Sequence, residues 1–366
     1  MTRAAEPSVD ADRDDRAGTA WLGGLDLVRL LAVVLVLYTS LATWFRDHDR
    51  PLGASSLVDN FLVIPLRVND DLRFFGAALI FLISGFLVAN AASRQRSGEF
   101  VVKRLLRVLP PLWVAVLLVW VLIALGRPAV SGVDDVGIGD LLSGLVLGDF
   151  FSDSAQPLVG PAWALLPILG IYVLVAALLP VFRSTPWLAV AIQITVCSVL
   201  LAIMPNLDSA AGYAGGTIGT FGVAVVLGQA IWLVWSGNNP LWAGAGLGVA
   251  CWVIFVWGDR LGYEPGVAYP LTLAYSVLLM IIGLQISDWV WDLAVISYLV
   301  SRSFPILLVH QAVMSVVLSG VSGHVWSAIA VLAAVAATLL AAEAVHQAAE
   351  RPVARFAASL GERDRS

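Results

Sequence analysis

The sequence predicts an all-α fold: a polytopic membrane helix bundle of about ten transmembrane helices with both termini cytoplasmic. Three observations predict it. Hydrophobic residues fill 59% of the 366 positions and charged residues only 13%, too little charge to cover a soluble surface. About ten apolar runs approach the roughly 20 residues that cross a bilayer core as a helix. None has the alternation of a strand, and only helices or closed barrels satisfy backbone polar groups in lipid. Finally, arginine and lysine segregate to one side once these runs are alternated across a membrane.

Residues 1–24 are polar, with Asp10, Asp12, Asp14 and Asp15 interleaved with Arg13 and Arg16. Such a segment buries too little apolar surface to offset its ordering entropy, so a disordered cytoplasmic tail is expected. Its acidic residues do not suit the positive n-region of a signal peptide. The expected spans are 26–45, 74–92, 109–126, 162–182, 186–204, 216–235, 241–257, 269–286, 304–321 and 325–346. With the N-terminus inside, Arg46, Arg50, Arg67, Arg73, Arg127 and Arg260 fall outside, and the other 15 of the 21 basic residues fall inside. This bias puts a transmembrane domain over 25–355 and a cytoplasmic tail over 356–366. The acidic outer loop 127–161 contains "DLLSGLVLGDFF" (140–151), which either lies along the membrane surface or caps a pocket. Trp44, Trp187, Trp235, Trp242 and Trp257 stand near span ends, as in an interfacial belt. No internal repeat or pair of inverted halves of the transporter kind is visible.

A net charge of −5 gives no case for a nucleic-acid partner. Cys197 and Cys251 lie in apolar runs without a Cys-x-x-Cys or Cys/His cluster, so they read as packing residues and no metal site is expected.

Polar groups inside spans carry more information, because lipid makes them costly. Arg29 lies about one turn into the first span. It either snorkels to the near surface beside Asp26 or points into the bundle to meet an anionic ligand. Ser40 is about 16 Å further along the same helix. Thr39 and Ser40 alone mean little, since such hydroxyls commonly bond back to their own helix. In "FVVKRLLRVLPP" (100–111), Arg104 and Arg107 share a helix face at i,i+3. Paired guanidinium forks suit phosphate, although basic residues here also serve simply to hold the loop inside. His310 lies seven residues into the ninth span, where a histidine relays protons, orients a ligand or satisfies a core hydrogen bond. Glu343 and His346, at i,i+3, are expected to pair with each other or with Arg351.

Six separated stretches then resemble one family, the acyltransferase-3 family of integral membrane acyltransferases. "LDLVRLLAVVLVLYTS" (25–40) resembles its first span, Leu-Asp-x-x-Arg followed by an apolar run. "FLISGFLVA" (81–89) is similar to its Phe-x-x-Ser-Gly-Phe second span, and "KRLLRVLPPLW" (103–113) to the Arg-x-x-Arg-x-x-Pro that opens the third. "WALLPILGIY" (163–172) has the Trp-x-Leu…Tyr spacing of the fourth span, "SFPILLVH" (303–310) resembles Ser-Tyr-x-x-Tyr-Leu-x-His, and "ERP" (350–352) matches its closing Glu-Arg-Pro.

The resemblance implies transfer of an acyl group from a cytoplasmic donor, commonly acyl-CoA, to a hydroxyl of an extracytoplasmic glycan or glycolipid, with no permanently bound cofactor. It implies that Arg104 and Arg107, with Lys103 beside them, hold the donor phosphates and that Arg29 lines the same cavity. It also implies a bacterial plasma-membrane location, an envelope-modifying role such as polysaccharide O-acetylation, and an envelope-assembly or export partner besides the lipid bilayer. Two positions depart from the family pattern. Its first-span histidine, eleven residues after the arginine and acting as general base, is here Ser40. The glutamate of its Trp-Ser-Leu-x-x-Glu motif is here Ile168. Alcohol acylation needs a proton acceptor near neutral pH, and losing such help costs roughly 10²–10⁴ in rate. His48 would lie about 12 Å beyond Ser40 on an unbroken helix, and His310 is expected to reach only mid-membrane. Ser40 could itself carry an acyl group if a base approached it, and no neighbour in sequence supplies one. Ser40 and His310 are therefore the expected catalytic positions. The alternative is a catalytically inactive descendant that binds glycan or lipid, or partners an exporter.

Overall fold

In lipid each apolar run must close its backbone hydrogen bonds within itself, and every run expected to span is helical in the structure, a computed structural model. It describes residues 23–50, 52–68, 72–95, 97–133, 135–262, 269–286, 294–320 and 327–353. Most of the tail 1–24 and the tail 356–366 lie outside these residues.

The elements are α1 (Gly23–Asp47), α2 (Ser55–Leu66), α3 (Arg73–Arg94), α4 (Ser97–Ala124), α5 (Ile138–Leu145), α6 (Leu165–Ala177), α7 (Leu179–Ser184), α8 (Pro186–Ile203), α9 (Ala210–Trp235), α10 (Leu241–Arg260), α11 (Tyr269–Gln285), α12 (Ala294–Ser301), α13 (Ser303–Gly320) and α14 (Ser327–Val345). Short 3-10 turns cover Gly148–Phe151 and Gly160–Ala164. Among the described residues nine helices are long and apolar enough to cross a membrane, and α11, with 17 residues, is a shorter apolar helix. The chain is an all-α polytopic membrane protein.

Two expected boundaries differ. The third span was expected from 109, with the proline pair near its start, yet α4 begins at Ser97 and carries Pro110 and Pro111 in its interior. Membrane helices tolerate such prolines because neighbouring groups re-satisfy the freed carbonyls. The fourth span breaks at Leu178, two residues before Pro180, into α6 and α7.

The centre of the bundle is α9, whose "AAGYAGGTIGTFG" brings small residues to faces packed on α3, α6, α8 and α10. Small residues let membrane helices approach closely, since lipid offers no hydrophobic drive between them. The contact with α3 is closest. A Cβ on Gly85 would stand 1.8 Å from the Val225 carbonyl oxygen, and one on Gly228 would stand 2.1 Å from that of Leu82. Gly85 belongs to the Ser-Gly-Phe stretch singled out in the sequence, so the spacing of that motif is a packing requirement. Between α8 and α9, Gln193 and Gln229 exchange side-chain amide bonds of 3.0 and 2.8 Å. Phe81 and Phe221 hold Trp163 edge-on, at 5.8 and 5.2 Å between ring centroids. Cys197 and Cys251 are buried free thiols among these helices.

A second group of helices, α1, α4, α13 and α14, stands beside this core, with α13 touching the other three. Gly24 at the start of α1 meets Gly283 near the end of α11. Arg302, just before α13, bonds Glu343 near the end of α14 at 2.8 Å. The first helix therefore begins, and the last ends, at the same end of the bundle. The stretch 140–151 does not line the bundle's interior cavity. Instead α5 lies along the flank of α4, where Trp113 and Trp120 donate their indole N–H groups to the carbonyls of Leu145 (3.0 Å) and Gly137 (2.9 Å).

Candidate active site

Between the core and the second helix group runs a cavity of about 730 Å3, within the size range of small-molecule sites. Its lining on α1 extends from Arg29 to Asp47. Eighteen residues of helix span roughly 27 Å, so the cavity covers most of a bilayer core.

At the end where the chain begins, the lining includes Arg29, Arg104, Arg107 and Tyr172. Arg29 is largely buried and donates from Nη1 to Asp26 at 3.0 Å. It thus keeps the Asp26 pairing of the first reading while lining the cavity of the second. Arg104 donates from Nη2 to the Leu87 carbonyl at 3.2 Å, and its guanidinium lies over the rings of Phe100 (5.6 Å) and Tyr172 (5.5 Å). Its Nε–H is buried without a partner among the described residues. Arg107 is exposed at the cavity mouth and makes no hydrogen bond or ion pair among the described residues. Three cations thus face one carboxylate, which leaves this end positive. Lys103 is not brought here: it is exposed and ion-paired to Glu99 at 2.6 Å. Adjacent residues on a helix diverge by about 100°, which turns Lys103 away from the face Arg104 uses.

The middle of the cavity holds Ser40, Ser84, Ile168 and His310. Thr39 bonds back to Leu35, as expected for a hydroxyl in a span, but Ser40 does not. His310, only 1% exposed, places Nε2 at 3.0 Å from Ser40 Oγ, across 270 residues of sequence. Its Nδ1 is 2.9 Å from the Leu307 carbonyl. A carbonyl only accepts, so that bond requires the proton on Nδ1 and leaves Nε2 of the neutral ring to accept from the Ser40 hydroxyl. A nucleophile bonded to a base whose tautomer is fixed by a third group is the arrangement used in acyl transfer. His310, expected to reach only mid-membrane, therefore reaches the level of Ser40. Ile168 lines the same space as an apolar side chain.

The far end is formed by Trp44, Asp47 and His48 of α1, by the loop 128–132, and by Gly160 and Gln311. His48 stacks on Trp44 at 4.0 Å between ring centroids and donates from Nδ1 to the Trp44 carbonyl at 2.9 Å. The helix is unbroken from Ser40 to Asp47, so His48 stays at this mouth. Trp44 lines the cavity wall, with its indole N–H buried and unpartnered among the described residues. Glu343 and His346 do not pair with each other. Glu343 bonds Arg302, Tyr298 and Gln347, and His346 pairs with Glu350. Sequence reasoning gave no role to Tyr172, Ser84 or Gln311. Tyr172 stood in a quoted motif and Gln311 next to His310, but neither position shows in sequence which way its side chain turns.

Nodulation protein 10 of Rhizobium leguminosarum bv. viciae is 37% identical over 90 residues, which are 24% of this chain and 22% of that protein's length. No solved structure matches the chain. The Acyltransferase domain profile matches residues 22–343, a range holding the arginine cluster, Ser40 and His310. The chain belongs to the acyltransferase-3 family.

Proposed function

We propose that this protein is a membrane O-acyltransferase. It takes an acyl group from a thioester donor of the acyl-CoA class and passes it to a hydroxyl of a glycan or glycolipid. The single observation that carries this reading is the Ser40–His310 pair at 3.0 Å, inside a cavity with three guanidinium groups at one end. The donor phosphates bind Arg107, Arg104 and Arg29, whose forks match phosphate oxygens and whose net charge attracts them. The acyl chain then points along the cavity toward Ser40. The acceptor enters from the mouth formed by Trp44 and His48, where aromatic faces suit a sugar ring. His310 Nε2 is the base that Ser40 requires. The excess of basic residues favours a cytoplasmic arginine end, and donor and acceptor then approach from opposite sides of a bacterial plasma membrane. An envelope-assembly or export partner would then receive or present the acylated product.

The test is binding of radiolabelled acetyl-CoA to the protein in nanodiscs, with transfer to endogenous acceptor in native membranes. Saturable binding weakened by Arg107→Ala, together with transfer lost in His310→Ala, supports the reading; absence of binding overturns it. Ile168, apolar where the family pattern has glutamate, favours a second reading as a non-catalytic binding protein. Donor binding without any transfer would establish that one.

A further inference from the structure

We infer that Ser40 is a covalent acyl carrier, so that the reaction proceeds in two half-steps through an acyl-serine. This rests on the acyltransferase reading above and adds an intermediate to it. Nε2 of His310 is engaged by the Ser40 hydroxyl at 3.0 Å. An incoming acceptor alcohol therefore meets a base whose lone pair is taken, whereas the proton His310 is placed to remove is that of Ser40. The Nδ1–H bond to Leu307 stabilises the imidazolium that results.

Ser40 Oγ attacks the thioester carbonyl while its proton passes to His310 Nε2. A serine ester C–O bond forms, the C–S bond breaks, and His310 returns the proton to the departing thiolate. The acceptor hydroxyl then attacks the serine ester, giving its proton to Nε2. The new ester forms, the Ser40 C–O bond breaks, and the proton returns to Oγ. Ser40 lies eleven residues from Arg29, roughly 16 Å along the helix, a distance on the scale of an extended pantetheine arm. The carrier thus sits where a thioester would arrive from phosphates held at the arginine end. Donor and acceptor need never occupy the cavity together, which suits one space of about 730 Å3 shared by both.

The experiment incubates the full-length protein in native membranes with radiolabelled acetyl-CoA, denatures it, and maps label to peptides by mass spectrometry. The carrier predicts about one acetyl group per chain, an expectation of covalent catalysis, on the peptide holding Ser40. That label is absent in Ser40→Ala and in His310→Ala. In Ser40→Cys the label moves to a thioester, which neutral hydroxylamine removes and which the wild-type ester resists under the same conditions. Acetyl-CoA binding to each variant shows that it is folded. Label transferred to membrane acceptor with none on the protein, or label retained in Ser40→Ala, overturns the carrier and leaves the acyltransferase reading standing. No binding and no transfer overturns both.

Discussion

Replacing Arg107 by alanine is the cleanest probe of the arginine end, because the side chain has nothing to lose within the protein. It is exposed at the cavity mouth and makes no hydrogen bond or ion pair among the described residues. Truncation therefore leaves no orphaned partner, and the melting temperature should hold. A hydrogen bond to a charged group contributes about 1.5–3 kcal/mol. Solvent exposure places Arg107 toward the low end, so the dissociation constant for acetyl-CoA should rise about tenfold. Salt screens such a contact, so the ratio of wild type to variant should shrink as ionic strength increases. Arg104→Ala provides the contrast. It removes the bond to the Leu87 carbonyl and a cation from the faces of Phe100 and Tyr172, so it should weaken binding and lower the melting temperature together. The assay is calorimetric titration of acetyl-CoA into protein in nanodiscs at two salt concentrations, with a thermal melt of each variant. If Arg107→Ala binds within twofold of wild type and melts like it, the donor phosphates do not sit at this end.

His310→Ala should reduce transfer by about 10²–10⁴, the range for lost acid–base help, while acetyl-CoA binding stays at the wild-type level. Gly85→Val should abolish the folded protein in detergent, read by size exclusion, because its Cβ would stand 1.8 Å from a backbone oxygen of α9 that cannot give way. Asp149 is 4% exposed in the loop between α5 and α6, where its carboxylate accepts from Phe150 N–H (3.1 Å) and Leu158 N–H (3.3 Å). Burial raises its pKa above the ordinary 3.8, against the opposing pull of those backbone bonds. Its contribution is fully present below pH 3.8 and is lost as pH rises through the raised value, so ionised Asp149 is a net cost near neutrality. Asp149→Asn should therefore gain in melting temperature relative to wild type as pH rises from acid to neutral, and a constant difference would refute this.

The helix count and order were legible in the sequence because lipid permits one solution for a long apolar run. The boundaries were less so. The start of α4 was misplaced because residues 97–108 are amphipathic, with Lys103 and Glu99 facing outward, and a hydropathy ruler discards them. At the site, helix spacing was enough to put Arg104 and Arg107 on one face. It could not exclude Lys103, whose turn toward Glu99 is set by solvent. Ser40 and His310 were each expected at the site, but their contact had no signal of its own. It depends on the axial register of α1 against α13, and apolar faces slide past one another without leaving a mark in periodicity. The motif around Gly85 was visible as a pattern, but only the approach of α9 shows why no side chain fits there.

The surplus of positive charge among Arg29, Arg104, Arg107 and Asp26 has an effect that does not depend on which substrate is used. A cavity whose lining covers most of a bilayer's depth is a route that protons and sodium must not follow. A collar of fixed guanidinium charge at one mouth raises the electrostatic barrier to every small cation, while anionic groups are drawn in. The helix bundle can thereby stay hollow for its chemistry without short-circuiting the membrane that holds it.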